Sequence, residues 1–165
     1  MNDFEVMPAS QARLHTLDSQ LCFALYSTMN AVSRSYAPLL EALGLTYSQY
    51  LAMLVLWERD DIAVGEIGRR LFLDSGTLTP LLKRLEAAGL VARSRNPVDE
   101  RQVRIALTAQ GQALREKARP LPIEIGCAMG RSGEEITGLR DDLLDLRASL
   151  LASLERRQTD DDPAS

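Results

Sequence analysis

Cysteine and histidine are scarce in this 165-residue chain: two cysteines, Cys22 and Cys127, and one histidine, His15. Two thiols are too few for the disulfide framework of a small secreted domain. One histidine with two distant cysteines does not make a plausible zinc site. No apolar run approaches the ~18 residues of a membrane-spanning helix. The N-terminus lacks the basic-then-apolar pattern of a secretory signal. No acid–base pair or cofactor motif accompanies Cys22. A soluble cytoplasmic protein without cofactor or membrane partner is the expectation. At this length one domain, or one compact unit with extensions, is expected. The apolar content of 45% suits a globular core.

The informative stretch runs from Val64 to Leu107. Its first part, Val64–Leu71, reads as a short helix. A second helix opens at Asp74-Ser75-Gly76-Thr77 and runs to Ala88, with Leu78, Leu81, Leu82 and Leu85 forming one apolar face. The opposite face carries Ser75, Thr77, Thr79, Lys83 and Arg84. Short hydroxyls near a helix start and long cations further along suit a helix laid in the major groove of DNA. After Gly89 the period changes from 3.6 to 2. Val91 alternates with cations up to Arg95, and Val103, Ile105 and Leu107 line one face while Arg104 points away. The polar loop Asn96–Arg101 joins the two runs into a hairpin. Helix, turn, helix and hairpin make a winged helix-turn-helix. From Gly65 to Arg104, eight cations (Arg69, Arg70, Lys83, Arg84, Arg93, Arg95, Arg101, Arg104) face five anions, a net +3 within a chain of −4. A basic module on an acidic protein concentrates phosphate attraction on one surface.

The expected fold class is mainly α with a small β-hairpin wing: a winged helix-turn-helix over 45–107, carried by long dimerisation helices over 17–44 and 108–157. Residues 1–16 read as flexible, and 158–165 as a disordered acidic tail. The first long helix spans about Leu17–Leu40, capped by Thr16 or Asp18, with Pro38 kinking or fraying its end. Thr46-Tyr47-Ser48-Gln49 opens a second helix, and Met53, Trp57 and Phe72 are expected in the core. Thr108 caps a helix that Pro120 kinks before about Met129. Ser132 and Glu135 have capping-box spacing ahead of a last helix striped by Ile136, Leu139, Leu143, Leu146, Leu150 and Leu154. The terminal stripes exceed what the small module needs for its own core. Intertwining with a second copy is their expected use, and a two-fold dimer would present two recognition helices about 34 Å apart.

The run Leu71-x-x-Asp74-Ser75-Gly76-Thr77-Leu78-Thr79-Pro80-Leu81-Leu82-Lys83-Arg84-Leu85-Glu86-x-x-Gly89-Leu90 resembles the recognition helix of MarR-type regulators. Asp99-Glu100-Arg101-Gln102-Val103-Arg104-Ile105-x-Leu107-Thr108 resembles their wing. Leu21-Cys22-Phe23-Ala24-Leu25-Tyr26-Ser27 is similar to the first helix of the organic hydroperoxide resistance regulators, and Cys127 to the second cysteine of their two-cysteine subgroup. The resemblance implies a homodimeric repressor on double-stranded operator DNA. Cys22 would sense organic hydroperoxides and then form an intersubunit disulfide with Cys127. It also implies that Tyr36 and Tyr47 donate hydrogen bonds to the thiolate, and that Arg101 enters the minor groove with its rotamer held by Asp99. Ser75, Thr77, Thr79, Lys83, Arg84 and Arg95 complete the expected DNA contacts.

Physical chemistry constrains that sensor. The thiolate, not the thiol, attacks peroxide. Cys22 lies within the first two turns of its helix, where the dipole favours negative charge. Tyr36 lies fourteen residues further on, about 21 Å along a straight helix, and so could serve only the Cys22 of a partner chain. The alternative for Cys22 is a small buried hydrophobe, and for Cys127 an incidental surface thiol. Two other functions compete: a MarR-type repressor released by a small aromatic ligand, and a thiol peroxidase. Thiol alkylation and ligand titration separate the first; turnover with a reductant tests the second.

Overall fold

Most of the chain is helical, and the helices stop at chemically identifiable places. The computed structural model describes residues 16–95 and 102–160, with side chains as far as 157. In chain order these are a 3-10 turn at Leu17–Ser19, α1 (Leu21–Glu41), α2 (Tyr47–Glu58), β1 (Ile62–Ala63), α3 (Val64–Leu71), α4 (Ser75–Ala87), β2 (Val91–Arg95), β3 (Val103–Leu107), α5 (Ala109–Ala118), α6 (Leu121–Ala128) and α7 (Gly133–Asp160). They divide into two compact units, the first ending at Leu121 and the second beginning at Pro122. The expected flexible N-terminus (except Thr16), the wing loop 96–101 and residues 161–165 of the acidic tail lie outside the described residues.

The first unit is built around α2, which buries Tyr50, Ala52, Met53, Val55, Leu56 and Trp57. A reciprocal capping box starts it: the Gln49 backbone N–H donates to Thr46 Oγ1 and the Thr46 N–H donates to Gln49 Oε1. The leucine face of α4 is buried as its spacing predicts, at Leu78, Leu81, Leu82 and Leu85. Met53 and Trp57 lie in the same core, and the Trp57 indole N–H donates to the Gly111 carbonyl at 2.9 Å. Gly111 is needed there, since a Cβ at that position would stand 2.0 Å from the Leu90 carbonyl oxygen.

The hairpin of β2 and β3 is antiparallel, with Val91 opposite Leu107 and Arg95 opposite Val103. A third strand, β1, pairs with the other edge of β3, giving the order β1-β3-β2. Sequence reading treats Ile62-Ala63 as a lead-in, because two residues are too few to display alternation. Asp60 fixes the crossing: one carboxylate oxygen accepts from the Asp61 and Leu107 backbone N–H groups, the other from the Gln112 side chain. Asp61, in the left-handed region at φ 51°, accepts from the Arg104 guanidinium through its carboxylate at 2.9 Å and also through its carbonyl.

Several expectations are corrected. The first helix starts at Leu21, not Leu17, and neither Thr16 nor Asp18 caps it. Gln20 is the N-cap, with no side-chain cap bond, and Thr16 and Ser19 bond each other across the preceding turn. Pro38 lies inside α1, which continues to Glu41, one residue past the expected end. Phe72 is not core: it caps the C-terminus of α3 at φ 55° and is 56% exposed. Instead of one kinked helix, α5 and α6 are separate, with Arg119 and Pro120 between them. Pro122 falls in the first turn of α6, where no intrahelical N–H is required.

In the second unit the Ser132–Glu135 capping box forms as expected, with the Glu135 N–H donating to Ser132 Oγ and the Ser132 N–H to Glu135 Oε2. Helix α7 extends to Asp160, three residues beyond the expected end. Among its described residues none is buried; Leu139, Leu143, Leu150 and Leu154 are all exposed.

Candidate DNA-binding face and thiol sites

The face of α4 opposite its leucines is open. Ser75, Thr77, Lys83 and Arg84 are exposed, Thr79 is half-buried, and Arg95 is exposed at the end of β2. Asp99 and Arg101 lie outside the described residues. The helix start is already occupied by its own cap. Asp74 accepts from the Thr77 backbone N–H at 2.9 Å and from the Thr77 hydroxyl at 3.2 Å. The Thr77 backbone bond is the largest cause holding the Asp74 carboxyl below its ordinary range. A carboxylate on these amides neutralises the positive end of the helix dipole. Phosphate attraction at this face must therefore come from side-chain cations, and Thr77 acts first as part of the cap.

The described cations between Arg59 and Arg104 fall into two sets. Arg59 pairs with Glu66, Arg70 with Glu58 and Arg104 with Asp61. These partners join α2 to α3 and β3 to the turn before β1. Arg69, Lys83, Arg84, Arg93 and Arg95 have no acidic partner among the described residues. The net +3 counted along the sequence therefore understates the sorting: Arg70 and Arg104 serve the fold, and the unpaired set remains available to anions. Arg104, counted among the cations of the basic module, is a strut to Asp61.

Cys22 is the second residue of α1 and is exposed. The correction at the helix start brings its thiol into the first turn, at the positive end of the helix dipole. Within a single chain the thiol is not packed into the core. Cys127 is exposed near the end of α6, three residues before Gly130, whose φ of 63° marks the break ahead of α7. Tyr36 and Tyr47 are brought together, their ring centroids 4.9 Å apart. Tyr50 joins them at 5.8 Å from Tyr36 and stacks edge-on to Trp57. Desolvation, with Tyr50 and Tyr47 adding, pushes the Tyr36 hydroxyl up to about 12; burial raises Tyr47 and Tyr50 as well. All three keep their protons near neutral pH and can donate hydrogen bonds. Sequence reading missed Tyr50 as part of this cluster, although its i+3 spacing from Tyr47 was the available signal.

A family model described as "Transcriptional regulator SarA/Rot" matches residues 34–118. The HTH-type transcriptional regulator TtmR of Methylorubrum extorquens (strain PA1) is 53% identical over 137 residues, spanning 83% of this chain and 70% of that protein. The organic hydroperoxide resistance transcriptional regulator of Bacillus subtilis (strain 168) is 46% identical over 134 residues, 81% of this chain and 91% of that one. Among solved structures, reduced AbfR bound to DNA, from a Staphylococcus epidermidis protein, superposes with a TM-score of 0.72 at 37% identity, covering 88% of this chain and 99% of AbfR. The region matched by the family model holds the helix-turn-helix, the hairpin and the C-terminal end of α1 from residue 34 on. The chain belongs to the SarA/Rot, MarR-like family of winged-helix transcriptional regulators, alongside the organic hydroperoxide resistance regulators.

Proposed function

We propose that this regulator is a homodimeric, cytoplasmic repressor that binds operator DNA and releases it when organic hydroperoxides oxidise Cys22. The observation that carries the reading is Cys22 itself: an exposed thiol in the first turn of α1, on a helix whose apolar residues Leu21, Leu25 and Met29 are also uncovered. A second α1 crossing this one would cover those residues and bring its own Tyr36–Tyr47 pair to the thiol. The ~21 Å between Cys22 and Tyr36 along one helix makes the partner necessary.

The chemistry is balanced. The Cys22 thiolate attacks the distal peroxide oxygen, the O–O bond breaks, and the alkoxide leaves as an alcohol after taking a proton; Cys22 becomes a sulfenic acid. The Cys127 thiolate of the partner then attacks that sulfur, and the sulfenic oxygen leaves as water once protonated. A disulfide needs Cα atoms within ~7 Å. Closing it would pull on the glycine-flanked end of α6 and shift the dimer helices. Recognition helices displaced from the ~34 Å groove repeat lose base contacts at about 1–3 kcal/mol each. Ser75, Thr79, Lys83, Arg84 and Arg95 would meet the major groove and its phosphates, with Thr77 capping the recognition helix. Arg101, steadied by Asp99, would read the minor groove.

The test uses a duplex selected by the protein from random sequence. Binding is measured before and after one equivalent of an organic hydroperoxide, with non-reducing gels alongside. Wild type should release DNA and run as a covalent dimer. Cys22→Ser should bind and ignore peroxide, and Cys127→Ser should react without a protein disulfide. A wild type that releases DNA while remaining monomeric on the gel removes the intersubunit disulfide. Unchanged binding after stoichiometric oxidation of Cys22 removes the switch.

A further inference from the structure

Between α3, α4 and the base of the hairpin lies an open cleft of about 840 Å³. Arg69 enters it from the last turn of α3, Thr79 from α4, Arg93 from β2 and Gln102 from the residue before β3. Its remaining charged residues are internally matched: Glu66 is held by Arg59 at 3.2 Å, and Arg104 by Asp61. Two arginines without acidic partners among the described residues are left, beside a hydroxyl and an amide. Arg69 gains further from its place at a helix C-terminus, where the dipole stabilises a cation without any carboxylate.

We infer that this cleft seats a backbone phosphate of bound DNA, held by Arg69 and Arg93 with Thr79 and Gln102 as neutral donors; the inference rests on the DNA-binding reading above. A recognition helix in the major groove and a wing in the adjacent minor groove must have one sugar–phosphate strand running between them. The cleft is lined by Thr79 of α4 on one side and by Arg93 and Gln102 of the hairpin region on the other, the two elements that would flank that strand. Asp74 blocks the alternative seat, because the N-terminal amides of α4 already hold its carboxylate. Arginine forks suit a phosphate better than a base edge here, since nothing at the cleft fixes a nucleotide identity. Such a contact fixes register and orientation and carries no sequence information of its own.

The consequence is specific. Counterion release makes log Kobs fall with log salt by about 0.9 per phosphate neutralised. Arg93→Gln in a dimer should flatten the slope by about 2, one phosphate per subunit. Arg69→Gln should do the same, and both should weaken binding to a selected duplex and to an arbitrary duplex by the same factor. Arg93→Lys, which keeps the charge, should restore the slope. Arg70→Gln, which removes an arginine already paired with Glu58, should leave it unchanged. Thermal unfolding of each variant checks that the fold persists. Slopes unchanged in both Arg69→Gln and Arg93→Gln, with Lys83→Gln still weakening binding, would overturn the phosphate seat while leaving the DNA-binding reading in place. Wild-type protein that binds neither duplex would overturn that reading itself.

Discussion

The helix-turn-helix region and the terminal helices treat their apolar residues in opposite ways. In α2 and α4 every large hydrophobe except Tyr47, Leu51 and Leu54 is buried, and those three are half-buried. In α1 only Leu40 is buried, while Leu21, Leu25, Tyr26 and Met29 lie uncovered; in α7 the same holds for Leu139, Leu143, Leu144, Leu150, Leu151 and Leu154. Both regions carry apolar residues at helical spacing. The difference is that one set closes on residues of its own chain and the other does not. Uncovered apolar stripes of this length mark surfaces made for association. The dimer proposed above is the partner that two such helices in a single regulator would serve.

The contrast can be broken or sharpened by experiment. The largest effects are expected where the chain closes on itself. Gly111→Ala would force a methyl against the Leu90 carbonyl, a backbone atom that cannot rotate away, and should cost about 3 kcal/mol or more. Leu82→Ala, at a fully buried position, should cost about 2–5 kcal/mol. Urea unfolding measures both, and a loss below ~1 kcal/mol for either would mean the core is looser than its burial. Leu143→Lys with Leu150→Lys in α7 should act differently: a monomer by light scattering, with the helical signal of the first unit retained. A double variant that still dimerises would put the interface elsewhere.

Alkaline pH probes the tyrosine cluster at smaller cost. Unfolded tyrosines lose their protons near 10, whereas Tyr36 holds its proton to about 12. The folded state therefore binds more protons between those values, so stability is intact below about 10 and falls as pH rises toward 12. Urea midpoints between pH 8 and 11 should decline only at the upper end, and a Tyr36→Phe variant should decline less. The smallest effect is at the caps. Asp74 and Glu135 both have lowered carboxyl values, each with a backbone N–H as the largest cause. Their contributions are present above the ordinary carboxylate range and are lost as pH falls through the lowered folded values. Losing Asp74 should loosen α4 within the core, while losing Glu135 should fray only the start of α7. Amide exchange resolves the two, and equal protection losses in both helices would erase the distinction between the regions.

What could be read in advance was whatever is encoded within a turn or two of chain. The leucine face of α4, the Thr108 and Ser132 caps and the alternating valine and isoleucine of β3 are local patterns, and the fold bears them out. Phe72 misled because hydrophobicity alone says nothing about a helix C-cap in the left-handed region. The start of α1 is not legible in the sequence because a 3-10 turn and an α-helix share the same composition. The sequence also sufficed for the exposed polar face of α4 and for the two thiols as candidates. Tertiary structure alone decided which cations are free. Asp61 meets Arg104 and Glu58 meets Arg70 only because the chain crosses back on itself, and Tyr36 reaches Tyr50 only across two helices. Residues far apart in the chain carry no mutual signal in a single sequence; their pairing is set by the packing that brings them within contact distance.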